Sequence, residues 1–234
     1  MPRRTRIRDQ RQPKKNIQRR WIYIGLITLA AIIIAGLLIY PNLNKQNPDT
    51  TSVAPALNFT PVPNANGLSM GKADAPVKVE EYSDFQCPYC KQFFTDIEPI
   101  VIPKYVATGK VLFTYNPFSF IGPESKLAAE AAFCAADQNK FWEMHYQIFN
   151  AQGTENSGIF TKTSLNRLGS AIGLDLPKFR DCLDTGKYTQ KVEDANTTAM
   201  GLKVESTPSF FVNGKGPLMM NQVVAEIDKA LAGQ

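Results

Sequence analysis

Two cysteines three residues apart, in Cys87-Pro88-Tyr89-Cys90, are the residues of this chain best spaced for chemistry. A helical pattern begins at the first of them. That places Cys87 at the positive end of a helix dipole, among backbone N–H groups that have no partner within the helix. Such a position favours thiolate over thiol, and the thiolate is the species that attacks a disulfide. The two sulfurs are also close enough in sequence to bridge each other. The pattern therefore points to thiol–disulfide chemistry at an outward-facing Cys87. An inert structural bridge and half of a zinc site are the alternatives. Zinc needs further ligands at similar close spacing, whereas Cys134 and Cys182 stand singly and far away. No metal is expected.

The elements that must position this pair can be read on either side of it. Val77 to Tyr82 is β-branched and alternating, the pattern of a strand, and Ser83-Asp84 is a short turn into the helix. Val77, Val79 and Glu81 share one strand face, so Glu81 points with the valines toward a core. A carboxyl held there keeps its proton to higher pH and could exchange it with the second thiol. A strand-end carboxylate that reaches water fits the pattern equally well. After Cys87, Phe93, Phe94, Ile97 and Ile100 recur at helical spacing, and Pro99 and Pro103 are expected to kink or end the helix. Val111 to Tyr115 reads as a second core strand. Glu124 to about Met200 is helical in pattern, and Phe210 to Val212 is a third strand ended by the turn pair Asn213-Gly214. Val223 to Leu231 closes the chain as an amphipathic helix.

Charge and hydropathy divide the rest. Residues 1–20 carry nine Lys/Arg against Asp9 alone. Taking these from the totals of 26 and 21 leaves 17 basic and 20 acidic residues, so the body is slightly acidic. Nucleic-acid binding wants a basic face on the folded part, and none is expected. Trp21 to Tyr40 holds no charge over a length that spans about 30 Å as a helix, the depth of a bilayer core. With Trp21, Tyr23 and Tyr40 near its ends and no small-x-small site after it, the stretch reads as an uncleaved single-pass anchor. Positive charge stays inside, so the tail is expected in the cytoplasm and the remainder outside the cell membrane. Residues 41 to about 68 are rich in Pro and Asn and read as a tether.

In that setting disulfides persist. A Cys134–Cys182 bond would close a loop of about 49 residues and contribute about 4 kcal/mol. A second redox pair relaying electrons to the first is the alternative. His145, the only histidine, lies in the packed-looking run Phe141-Trp142-Glu143-Met144-His145 and has no partners for a metal site or a triad. Pro208 stands at the start of the third strand, where a residue without an N–H is tolerated.

The runs V-E-E-Y-S-D-F-Q-C-P-Y-C, A-A-F-C-A-A, F-W-E-M-H and E-S-T-P-S-F-F-V-N-G, in that order, resemble the DsbA-like branch of the thioredoxin superfamily over residues 69–234. The resemblance implies an α/β thioredoxin fold interrupted by a helical insertion at about 124–200. It implies Cys87 as attacking and Cys90 as resolving thiol, and Glu81 as a buried acid beneath them. It implies a cis Pro208 packed against the pair and Thr207 offering backbone hydrogen bonds to an extended substrate, with Pro88 and Tyr89 beside it. The second cysteine pair of that family's insertion agrees with Cys134–Cys182. Two departures from the best-known periplasmic oxidase stand out: Pro-Tyr replaces Pro-His between the cysteines, and Thr replaces Val before the proline. Each alters a contact to the Cys87 thiolate and hence the potential, since about 1.4 kcal/mol corresponds to about 30 mV.

The expected activity is a membrane-tethered dithiol oxidase. Its partners would be secreted or membrane proteins with free thiols and a membrane redox protein that reoxidises the pair; no cofactor is needed. An isomerase, a reductase serving cytochrome maturation, and a non-catalytic chaperone or copper-binding module on the same fold are the rivals.

Overall fold

The structure, a computed structural model, describes residues 25–29, 33–34 and 62–233. The chain divides into two units, Met1–Ser52 and Val53–Gln234. Within the first, residues 25–29 and 33–34 are helical. The other residues of the basic tail and of the anchor expected over 21–40 lie outside the described residues, as does the tether up to residue 61. Among the described residues no helix is long and apolar enough to cross a membrane.

In the second unit the chain runs β1 (Ser69–Met70), β2 (Val77–Ser83), α1 (Pro88–Asp96), α2 (Glu98–Val101), a π-helical turn (Ile102–Val106) and β3 (Val111–Pro117). Five helices follow: α3 (Pro123–Ala136), α4 (Phe141–Ala151), α5 (Lys162–Ala171), α6 (Leu176–Asp184) and α7 (Thr189–Gly201). The chain then returns through β4 (Ser209–Val212), β5 (Lys215–Leu218) and α8 (Met220–Ala232). The strands form one sheet in the order β1-β3-β2-β4-β5. β2 is its centre, parallel to β3 and antiparallel to β4, and Glu81 stands opposite Tyr115 on one side and Phe210 on the other.

The alternation read in the sequence is the one that folds. Val77, Val79 and Glu81 are buried and Lys78 is exposed between them. On β3, Val111, Phe113 and Tyr115 are buried in the same rhythm. Phe93 of α1 packs between Phe113 and Phe210, its ring centre 4.5 Å from that of Phe210. α3 is buried through Ala128, Ala129, Ala131, Ala132 and Ala135. Small side chains let a helix be covered on most of its circumference.

The helix that begins at the redox pair breaks at Ile97, and Pro99 and Pro103 fall in the opening turns of the two short segments that follow. A proline has no N–H to donate and is tolerated at such a start. At the end of the stretch read as a tether, Val62 and Leu68 pack against the core, and β1, directly after it, pairs with β3. No apolar rhythm announces this segment, since a two-residue strand has no room for one. β5 also escapes the sequence: Lys215-Gly216-Pro217-Leu218 has poor strand propensity. It pairs because Asn213 and Gly214, at φ 50° and 77°, turn the chain tightly back onto β4.

Candidate active site

Cys87 caps the N-terminus of α1 in an extended conformation, and Pro88 takes the first helical position, where its missing N–H costs nothing. The turn ahead of it is held by Asp84, which is fully buried. Its carboxylate accepts from the backbone N–H of Gln86 at 2.8 Å and from those of Phe120 and Ile121 at 3.0 and 3.1 Å. Burial outweighs these bonds and lifts its pKa. The Gln152 side chain, at the end of α4, donates to the carbonyls of Phe85 at 2.7 Å and Cys87 at 3.1 Å. Gln86 is tied to Ser125 at 2.8 Å and accepts from the Asn156 N–H at 2.6 Å. The helical insertion thus grips the turn that carries the first cysteine. Asp84, Gln86 and Gln152 do not stand out in the sequence, because their partners lie up to 70 residues away.

Both cysteines are unbridged thiols. Cys90 is 0% exposed and Cys87 only 6%, so the sulfur expected to face outward is mostly covered. Thr207 and the cis Thr207–Pro208 peptide lie over it, and the Cys87 thiol donates to the Thr207 carbonyl at 3.3 Å. Pro88 and Tyr89, both exposed, stand beside it, Tyr89 at 64%.

The two thiols differ sharply in acidity. The neighbouring Cys90 thiol chiefly, with the Thr207 side chain and the N–H groups of Cys90 and Tyr89, outweighs burial and brings the Cys87 pKa down to about 6. Burial first, then the neighbouring Cys87, pushes Cys90 well above an ordinary thiol. A stabilised thiolate next to a thiol that keeps its proton makes Cys87 the more nucleophilic sulfur of the two.

Glu81, 1% exposed, lies in the same interior. Burial raises its pKa well above the usual carboxylate range, and a second buried acid, Glu98, raises it further. Ser83, two residues on along β2, is also fully buried, and its carbonyl accepts from the Tyr115 hydroxyl at 3.3 Å. Glu98 and Ser83 were not among the candidates read from the sequence. For Glu98 a signal existed: it falls four residues after Phe94 and three before Val101, on the buried stripe of the interrupted helix.

Cys134 and Cys182 are joined by a disulfide between α3 and α6, helices that hold none of the other candidate residues. His145 is buried on α4 against the rings of Tyr115 and Phe149, both at 4.9 Å, and burial holds its pKa at about 3. It is neutral core. Among the described residues no group of three or more His, Cys, Asp or Glu could hold a metal ion.

The comparisons with known proteins agree with this geometry. A family model described as Thioredoxin matches residues 64–231. The chain is 30% identical over 177 residues to the disulfide bond formation protein D of Bacillus subtilis, covering 74% of this chain and 77% of that protein. Among solved structures it superimposes on oxidised BdbD of Bacillus subtilis with a TM-score of 0.66 at 26% identity, covering 73% of this chain and 96% of that one. Oxidised Mtb DsbA gives a TM-score of 0.57 at 27% identity, with 70% and 91% covered. With a polarised cysteine pair at a helix start and a cis-proline over it, the chain belongs to the thioredoxin family, as a DsbA-like protein-disulfide oxidoreductase.

Proposed function

We propose that this protein is a membrane-anchored, extracytoplasmic dithiol oxidase that introduces disulfides into secreted or membrane proteins with free thiols, and that a membrane redox partner reoxidises it. The observation that carries this reading is the low pKa of Cys87, about 6. At pH 7 roughly nine in ten such thiols are ionised. This ionisation favours the reduced state at pH 7 by about 1.4 kcal/mol over an ordinary thiol, or about 30 mV toward an oxidant.

The reaction begins with the Cys87–Cys90 disulfide. A client thiolate attacks Cys87 Sγ, a mixed disulfide forms, and Cys90 leaves with the electron pair and takes up a proton. A second client thiolate attacks the client sulfur of the mixed disulfide and expels Cys87 as its stable thiolate. The client has lost two electrons and the enzyme has gained them. The Thr207 carbonyl and hydroxyl, beside Pro208, line the approach to Cys87, and exposed Tyr89 supplies an apolar contact. The anchor rests on the uncharged stretch 21–40 and the basic tail before it.

The deciding experiment equilibrates the protein with glutathione buffers and follows oxidation of a reduced dithiol peptide. A potential near about −120 mV with rapid peptide oxidation is expected; a value near about −270 mV would make it a reductant instead. Retained function in a Cys87→Ser variant would point to a binding module.

A further inference from the structure

Lys91 follows Cys87 by one helical turn, and its N–H donates to the Cys87 carbonyl at 3.1 Å. Its half-buried side chain runs away from α1 to another helix. Lys91 Nζ donates to the Phe149 carbonyl in the last turn of α4 and stands 5.3 Å from the centre of the Phe94 ring. Among the described residues no carboxylate acts on it. A cation taken out of water ordinarily pairs with an acid; this one is directed at a carbonyl of a helix end, where a lysine is also favourable.

Gln152 caps that same helix end. It leaves α4 at φ −56° and ψ 133°, with its own N–H on the Phe149 carbonyl at 3.2 Å. Its Nε2 reaches two carbonyls of the segment that carries the first cysteine, Phe85 at 2.7 Å and Cys87 at 3.1 Å. A side-chain amide has two N–H donors, one for each carbonyl.

These bonds close a circuit. It passes from the Cys87 carbonyl to the Lys91 N–H, along the Lys91 side chain to the Phe149 carbonyl, on to the Gln152 N–H, and from Gln152 Nε2 back to the Cys87 carbonyl. Cys87 is the residue before the first turn of α1, at φ −70° and ψ 122°. Its ψ angle decides both where that carbonyl points and where the N–H groups of the first turn lie relative to its sulfur. The Tyr89 and Cys90 N–H groups favour the thiolate only while that angle is kept.

We propose that Gln152, supported by Lys91, is a positioning residue for the redox pair: the end of α4 clamps the Cys87 carbonyl and so holds the attacking sulfur over the first N–H groups of α1. The helical insertion thereby sets the reactivity of a cysteine that lies outside it. Neither side chain takes a proton or an electron from the client; both act through the Cys87 backbone. This deepens the oxidase reading at its own site.

The test titrates the thiolate absorbance of the reduced full chain and equilibrates the protein with glutathione, for the wild type, Gln152→Met, Lys91→Met and the double variant. Methionine approximates the length of either side chain and removes its donors. Gln152→Met should raise the Cys87 midpoint by about half a unit and move the equilibrium with glutathione at pH 7 about threefold toward the oxidised protein. The double variant should shift by less than the two single shifts added, because either cut opens the same circuit. Lower stability in urea with an unmoved midpoint would make these bonds merely structural and overturn the proposal, and so would single shifts that add in full. If a variant fails to fold, the wild type decides. Its Gln152 side-chain amide protons, followed by NMR of 15N-glutamine-labelled protein, should exchange more slowly than those of a free side-chain amide and should shift as Cys87 ionises; exchange at the free rate overturns the clamp. A wild-type chain that leaves a reduced dithiol peptide unoxidised overturns the oxidase reading, and the midpoints still decide the role of Gln152.

Discussion

At the scale of single residues, the reactive sulfur owes its acidity to a few donors, and each can be removed. Thr207 supplies one through its hydroxyl. Thr207→Val keeps the shape and deletes that donor, so the midpoint of thiolate absorbance should rise from about 6 by up to about one unit. Titration of the reduced protein at 240 nm reads this directly, and an unchanged midpoint would assign the effect to Cys90 and the backbone N–H groups alone. A rise should be matched by a less oxidising pair, by up to about 30 mV. The cysteines, Thr207 and Pro208 could be singled out in the chain because motif and order carry them. For Glu98 the only signal was its place on the buried stripe, and an acid directly before Pro99 ordinarily ends a helix at the surface. Its burial is a property of what packs over α2.

Among elements, the Asp84 turn and the insertion disulfide are the two junctions worth breaking. Asp84 satisfies three backbone N–H groups that would otherwise be buried and unpaired. Asp84→Ala should cost at least about 3 kcal/mol in urea unfolding and should raise the Cys87 midpoint as the turn loosens. The Cys134–Cys182 bond spans a separation of 48 residues. Replacing both by alanine should lower stability by about 2–4 kcal/mol and leave the potential of the Cys87–Cys90 pair unchanged; a shifted potential would revive the relay reading. The helices and three core strands were legible because their apolar periods of 3.6 and 2 are long enough to see. β1 and β5 were not, since each pairs through its backbone and is placed by a neighbour, with little pattern of its own.

For the molecule as a whole, the buried acids and the thiolate pull stability in opposite directions with pH. Glu98 has a folded pKa of about 8 against 4.5 unfolded, so the stability it contributes is full below pH 4.5 and is lost as pH rises through 8. Cys87 has a folded pKa of about 6 against 9.0. Its contribution is present above pH 9 and is lost as pH falls through 6. Between pH 6 and 8 the rise from Cys87 opposes the losses from Glu98 and from Glu81, whose pKa burial also raises. Relative to the reduced wild type, Glu98→Gln should lose less stability with pH over that window and Cys87→Ala more, both by urea denaturation. Parallel curves for all three proteins would refute both shifts. What the sequence by itself determined was local: which residues alternate, which recur at helical spacing, and which sulfur opens a helix beside free N–H groups. Only the tertiary structure decided how far that sulfur is covered, that Thr207 and the insertion close over it, and that two carboxyls share one dry interior. Those depend on contacts between residues far apart along the chain, and acidity depends on the dielectric and charge that such contacts create.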